Sequence, residues 1–238
     1  MVRGAQRMRG FFVVFEGGDG CGKSTLLRLT AQRLRRTLTQ RVRVTKEPGG
    51  GGGVSQAVRR LLLNQTQRLD PVTELFLYEA SRSYHASTFL LPQLRQGHLI
   101  LCDRFTASTV AYQGAYWEGR PAGSAFLKKA NFFAAHGLRP DAVVWMDLPV
   151  KDQMERLLGR GVGGTSPSQP VKAKKNEQWN VFDRQKRAFH QKIRARYQKM
   201  MAGQKNTLLC DGLRSPETIA DEVACWIVQK LAERRDLS

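Results

Sequence analysis

The sequence predicts an α/β fold, a doubly wound five-stranded parallel sheet flanked by helices. Short apolar, β-branched runs alternate with helical patterns, a glycine-rich turn joins the first run to the first helix, and the runs are nearly continuous in apolar character. Parallel strands covered on both faces read this way, because neither face meets water. Alternation also implies right-handed crossovers, which place helices on both faces and ligands beyond the carboxyl ends of the strands.

The first strand is expected at Phe11–Phe15. The helix after it carries Leu27, Ala31, Leu34 and Leu38 at helical spacing, one buried stripe with Arg and Gln opposite. Further strands are expected at Val42–Thr45 (the least apolar), His98–Cys102, Ala142–Met146 and Thr207–Cys210. The last helix has a start signal, Ser215 as N-cap with Pro216 in the first turn, and is expected to run to about Arg234. Two stretches break the alternation. Gly49–Gly53 follows the second strand, and Gly159–Lys175 is rich in Gly, Ser and Pro and ends in lysines. A mobile stretch inside a compact domain reads as a lid or as disorder. The chain is therefore read as a single domain, 1–238, with a lid at about 159–180.

With 238 residues and 41% hydrophobic content, the chain is expected to build a packed core. No apolar run has the length of a bilayer span. The formal charge of +19 favours polyanionic partners without choosing between nucleic acid, phospholipid and phosphorylated small molecules. Its clusters, Arg33, Arg35, Arg36, Arg41 and Arg43 and then Arg184 to Arg196, read as solvated helix faces. Arg3, Arg7 and Arg9 lie in a brief, acid-free and serine-poor start, read as a basic terminus before a targeting leader. Cys21, Cys102, Cys210 and Cys225 form no CxxC pair and no zinc spacing; Cys102 and Cys210 sit in apolar runs as small hydrophobes. A reducing intracellular compartment fits, cytoplasmic by default, with nucleus or organelle left open.

The chemistry begins at "GGDGCGKST". Gly17-x-x-x-x-Gly22-Lys23-Ser24 directly follows a strand and opens a helix, the context that a phosphate loop requires. Glycines let backbone N–H groups converge on phosphate, the helix N-terminus adds its positive end, and Lys23 reaches the β- and γ-phosphates. The Ser24 hydroxyl can ligate Mg²⁺. The loop predicts a nucleoside triphosphate ligand and leaves the reaction open. A GTPase should show an Asn/Thr-Lys-x-Asp motif, and none occurs. At the third strand's end, Asp103 can hold the Mg²⁺ shell, and Arg104 can grip phosphate bidentately.

"FEGGDGCGKST", "TKEPGG", "LFLYEASRSYH" and "DRFTASTVAYQG" follow in order and resemble the thymidylate kinase family, with weaker similarity onward through "RPDAVVWMDLPV" and "FHQKIRARY". The resemblance implies the nucleoside monophosphate kinase fold, transfer of the ATP γ-phosphoryl group to dTMP, Mg²⁺ as cofactor, and commonly a homodimer. It implies that Gly17, Gly18, Asp19, Gly20, Cys21, Gly22, Lys23, Ser24 and Thr25 hold the ATP phosphates, with Asp19 also close to the acceptor nucleotide. Arg104 would grip the dTMP phosphate, and Asp103 with Ser24 would support the metal. Tyr78 would stack on thymine, Arg82 would hydrogen-bond the pyrimidine edge, and Ser108, Thr109, Tyr112 and Gln113 would line the same pocket. By the same resemblance, Tyr112 would crowd out a ribose 2′-hydroxyl. Lys46 and Pro48 would lie near the acceptor phosphate, and Glu177 would border that site. Arg156 and Arg160 would flank ATP.

Three departures stand out against the family pattern. Lys46 replaces an arginine, Gly51 replaces a threonine, and the glycines after Gly50 read as a loosened loop. Gly20 stands where one branch of the family carries a catalytic arginine. The transition-state cation then falls to the lid, which offers Arg160, Lys172, Lys174 and Lys175, with Arg160 the first choice. The histidines are not expected to act; His190 is read as a surface residue. A deoxynucleoside kinase would read Glu-Arg-Ser where this chain reads Asp-Arg-Phe, and a nucleic-acid-associated ATPase would need a binding motif that the chain lacks. The expected reaction is therefore ATP-dependent phosphorylation of dTMP, with no nucleic-acid or membrane partner.

Overall fold

The computed structural model describes residues 10–63, 69–161 and 187–236. Among them are five strands, β1 (Phe11–Glu16), β2 (Val42–Lys46), β3 (Leu99–Asp103), β4 (Ala142–Asp147) and β5 (Thr207–Asp211). Each lies where an apolar run places it and extends one residue further, to Glu16, Lys46, Asp103, Asp147 or Asp211. Lys46, Asp103, Asp147 and Asp211 end their strands where the backbone leaves the core, whereas Glu16 stays buried. They pair in parallel in the order β2-β3-β1-β4-β5, with Phe15 and Lys46 both in register with Asp103.

β1 is central and buried along its whole length. Phe11, Val13 and Phe15 point to one face, where they pack with residues of α1 (Lys23–Thr37) and α9 (Pro216–Asp236). Phe12 and Val14 point to the other face, with Leu90, Leu94 and Phe105. The period of two along the strand thus feeds two separate cores. In α1, Leu27, Ala31 and Leu34 are buried as the stripe predicts, while Leu38 falls one residue past the helix end in extended backbone and packs partly buried beside them. The Ser215 hydroxyl accepts the Thr218 N–H at 3.2 Å, so the predicted cap of α9 is present.

The other helices are α2 (Gly53–Leu63), α3 (Pro71–His85), α4 (Leu91–Arg95), α5 (Thr106–Tyr112), α6 (Pro121–Ala134), α7 (Val150–Gly161) and α8 (Arg187–Met201). Asp70 caps α3 by accepting the Val72 and Thr73 N–H groups at 3.0 Å. A π turn, Ala86–Leu90, joins α3 to α4. It sits just ahead of Pro92, whose missing N–H could not serve an ordinary helical ladder.

Two expectations need correction. Arg33 is not simply solvated, since it pairs with Asp221 and reaches Glu217 O on α9. Likewise Arg194 grips Asp147 at 2.7 and 2.8 Å, tying α8 to the end of β4. His190 is not a surface residue; it is 1% exposed on the inner face of α8. The expected lid starts inside α7, so residues 159–161 are helical, and its remaining positions lie outside the described residues, as do Arg3, Arg7 and Arg9. Among the described residues, no helix is long and apolar enough to cross a membrane.

Candidate active site

The carboxyl ends of β1, β2 and β3 open into a cavity of about 350 Å³. It is lined on one side by Asp19, Gly22, Lys23, Ser24 and Thr25 of the glycine loop, and on the other by Tyr78, Arg82, Arg104, Thr109, Tyr112 and Gln113. Lys46, Pro48, Asp103 and Ser108 also line it. The residues read from four separate motifs therefore face one space.

The glycine loop is shaped by its neighbours. Gly22 caps α1 at φ 95°, a conformation that a side chain would oppose. Gly18 and Gly20 back onto α7, where an added Cβ would meet Gln153 Oε1 at 2.7 Å and Gln153 O at 2.8 Å. Lys23 is buried, and its ammonium donates to Gly18 O at 2.6 Å, with Cys21 Sγ at 3.6 Å. Its charge is held at the loop centre. Arg156 crosses near Gly22 and donates to Gly212 O at 2.9 Å, beside the loop but away from the cavity lining.

The Ser24 hydroxyl donates to Asp103 Oδ2 at 2.6 Å, while Asp103 Oδ1 is buried with no protein partner. Hard oxygens in that arrangement suit Mg²⁺, which takes one or two protein ligands and completes its shell with phosphate and water. No cluster of three or more His, Cys, Asp or Glu suited to an all-protein metal cage occurs among the described residues. The donor set fits a metal carried in with a nucleotide.

Arg104 leaves β3 at φ 72° and its backbone N–H bonds Phe15 O at 2.9 Å, which turns the side chain back over the glycine loop. Its guanidinium donates to Asp19 Oδ1 at 2.6 Å, to Gly17 O, Ser108 Oγ and Tyr112 Oη at 3.1 Å each, and to Tyr197 Oη at 3.5 Å. Burial opposes the Arg104 charge, but Tyr112, Asp19, Tyr197 and Asp103 more than restore it and raise its pKa. Burial likewise opposes ionisation of Asp19, yet Arg104, Lys23, Tyr112 and His190 hold it below the ordinary Asp range. The pair stays charged. Tyr112 also donates to Asp19 Oδ2 at 2.8 Å, so one carboxylate aligns both acceptor-side groups.

Arg82 is 3% exposed and deeply engaged. It donates Nε to Glu47 Oε2 at 2.9 Å, Nη1 to both Glu79 oxygens and Asn131 Oδ1, and Nη2 to Phe105 O at 3.1 Å. A guanidinium has five N–H groups, so one Nη2 hydrogen remains for a ligand. The hydroxyl of Thr109 is buried without a protein partner, and Gln113 Nε2 donates to Glu74 at 2.7 Å. Burial and nearby Glu74 push the Tyr78 hydroxyl pKa up, so it remains a neutral ring with a proton to donate.

The structure adds residues that motif reading missed. Arg59 of α2 lines the cavity and donates to Pro48 O at 2.8 Å. It stands close enough to Lys46 to be the main cause of that lysine's lowered pKa. Glu16 accepts the Phe105 N–H at 2.9 Å, the Ser108 hydroxyl at 2.7 Å and the Tyr197 hydroxyl at 2.9 Å. An acid at the end of the buried run "FFVVFE" was the visible signal for it; nothing in the spacing of Arg59 or Tyr197 marked them.

The second glycine run is no loosened loop. Gly49, Gly51, Gly52 and Gly53 all have positive φ, and Tyr84 Oη would lie 2.5 Å from a Cβ on Gly53. Of Arg160 only the helical backbone is described, and Lys172, Lys174, Lys175 and Glu177 lie outside the described residues.

The sequence model of the family described as thymidylate kinase matches residues 15–223. A curated thymidylate kinase of Geobacter sulfurreducens is 33% identical over 227 residues, covering 94% of this chain and 100% of that protein. That of Bradyrhizobium diazoefficiens is 35% identical over 217 residues, covering 90% and 87%. The crystal structure of thymidylate kinase from Ehrlichia chaffeensis superposes with a TM-score of 0.67 at 24% identity, over 92% of this chain and 98% of that one, and so matches the fold. With a match running from the end of β1 into α9, the chain belongs to the thymidylate kinase family of phosphotransferases, which phosphorylate dTMP using ATP.

Proposed function

We propose that this chain transfers the γ-phosphoryl group of ATP to dTMP, giving dTDP and ADP, within the cavity described above. The carrying observation is that phosphate-loop side chains and acceptor-side residues line one continuous space. Phosphoryl transfer asks mainly for two nucleotides held in line in a charged, preorganised site.

In this reading, the loop N–H groups and Lys23 hold the ATP phosphates, and Arg156 flanks the nucleotide. Arg104 exchanges part of its contact with Asp19 for the dTMP phosphate, with Arg59 and Lys46 adding charge nearby. Tyr78 stacks on thymine, a contact worth roughly 1–3 kcal/mol. Arg82 and Thr109 meet the pyrimidine edge, and Tyr112 crowds the ribose 2′ position. Arg160 is assigned as the cation that meets charge spreading in the transition state, because Gly20 offers none. Ser24 and Asp103 would hold Mg²⁺, which when bound neutralises charge on the phosphates.

We also assign a homodimer. Val54, Val72, Phe76, Phe126 and Phe133 are exposed on α2, α3 and α6, an apolar face that a second copy would cover. The described cysteines are all unpaired, in keeping with a reducing cytoplasm.

A coupled ADP-release assay with ATP, Mg²⁺ and dTMP, dUMP, dCMP, dGMP or thymidine tests the activity. Strong stimulation by dTMP is expected. No stimulation by any monophosphate, with ATP turnover raised instead by DNA, would overturn it.

A further inference from the structure

Arg82 is held by residues that themselves need holding. We propose that His85 is a positioning residue for pyrimidine recognition: it orients the Glu47 carboxylate, and Glu47 orients the Arg82 guanidinium at the acceptor wall. The inference rests on the dTMP reading of the cavity and deepens it.

His85 is the last residue of α3 and is completely buried. Its Nδ1 lies 2.9 Å from Glu47 Oε1, and the other oxygen of Glu47 accepts Arg82 Nε at 2.9 Å. Glu47 accepts from the Arg82 guanidinium through one oxygen, and with the other oxygen also as acceptor the Nδ1 hydrogen is assigned to face Glu47. The opposite nitrogen, Nε2, meets the Thr45 hydroxyl of β2 at 2.8 Å. A chain of contacts therefore runs from the edge strand through the imidazole to the guanidinium.

The surroundings fix the ring. Phe89, in the π turn that begins just after His85, stacks on it at 5.6 Å and 19°. Gly50 lies against it so closely that a Cβ there would sit 2.5 Å from Nε2. Both nitrogens and one face are accounted for, which is more constraint than a space-filling side chain needs.

Such care has a physical purpose. Glu47 and Glu79 both engage the one guanidinium, and burial pushes the Glu79 pKa up despite Arg82 beside it. Without a partner for Oε1, Glu47 would keep a buried, unsatisfied oxygen and swing toward the remaining donors, drawing Arg82 with it. Arg82 serves base recognition and touches no transferring oxygen in this reading, so its displacement weakens ground state and transition state alike. That loss appears in KM and leaves kcat.

The test uses steady-state kinetics of the full chain with dTMP and ATP, comparing wild type with His85→Gln and His85→Asn. An asparagine amide reaches the position of Nδ1, whereas a glutamine amide reaches that of Nε2. His85→Gln is expected to raise KM for dTMP about tenfold, with kcat and KM for ATP within about twofold. His85→Asn is expected to recover most of that loss. Wild-type KM for dTMP in His85→Gln overturns the proposal, as does a loss shared equally by kcat and both KM values. Should His85→Gln not fold, Thr45→Val takes its place; a two- to threefold rise in KM for dTMP is then expected on the order of one weakened hydrogen bond, and an unmoved KM overturns the proposal. Absence of dTMP turnover in the wild type would overturn the kinase reading and this inference together, whereas wild-type turnover with an unmoved variant KM overturns the inference alone.

Discussion

The two walls of the cavity are built by different means. The donor wall is a single stretch of chain, Gly17 to Thr25, whose shape comes from glycine backbone and from the turn into α1. The acceptor wall is assembled from α3, α5 and the end of β3, and its charged side chains are aimed by other side chains. Arg104 depends on Asp19 and Tyr112, and Arg82 on Glu47, Glu79 and Asn131. A wall made of backbone tolerates few substitutions but needs few partners. A wall made of side chains can be retuned at a distance, as the His85–Glu47–Arg82 sequence of contacts illustrates.

Breaking the donor wall should have the largest effect. Lys23→Ala is expected to lower kcat by at least about a hundredfold, since it removes a charge aimed at the transferring phosphates. Retention of near-normal kcat in the ADP-release assay would remove Lys23 from the chemistry. On the acceptor wall, Arg104→Ala is expected to raise KM for dTMP by roughly ten- to a hundredfold, the scale of a lost charge-assisted contact, with KM for ATP little changed. Equal damage to both substrates would mean that Arg104 serves the glycine loop it also touches at Gly17.

The second glycine loop sharpens the contrast through stability. Gly50→Ala places a Cβ 2.5 Å from His85 Nε2, Thr45 Oγ1 and Lys46 O, and is expected to cost about 1–3 kcal/mol in thermal or urea unfolding. Gly52→Ala meets nothing within 4 Å and should cost only the left-handed backbone, about 1–2 kcal/mol. Gly52→Ala should leave KM for dTMP alone, while Gly50→Ala should raise it.

The smallest effect concerns acid. Asp19 is held below the ordinary Asp range, so its ionised form contributes stability that is present above about pH 4 and lost as pH falls through its folded value. Asp19→Asn should therefore flatten the acid limb of a stability–pH curve. An unchanged limb would show that Arg104 gains nothing from the pair.

Much of this was legible in the residues because it is local. The strands announce themselves as apolar runs, β1 most plainly, since a central parallel strand is buried on both faces. The phosphate loop is legible because nine consecutive residues make it. His190 was misjudged because helical spacing alone does not say which face of α8 meets the core. Glycine in a sequence marks both slack and demanding backbone, and only the packing tells them apart: a Cβ on Gly53 would meet Tyr84 Oη at 2.5 Å, whereas one on Gly52 would meet nothing within 4 Å.

The residues alone thus specify the sheet and the nucleotide loop, and they name Asp103 as a metal-side candidate and Arg104, Tyr78 and Tyr112 as acceptor-side candidates. Folding alone brings in the residues that hold the wall: Tyr197 from α8 at Arg104 and Ser108, Asn131 from α6 at Arg82, Arg59 from α2 at Pro48, and the pairing of Glu47 with His85 across 38 positions. Backbone geometry is written in neighbouring residues. Charge pairing in a buried wall is written in distance, which the chain acquires when it folds.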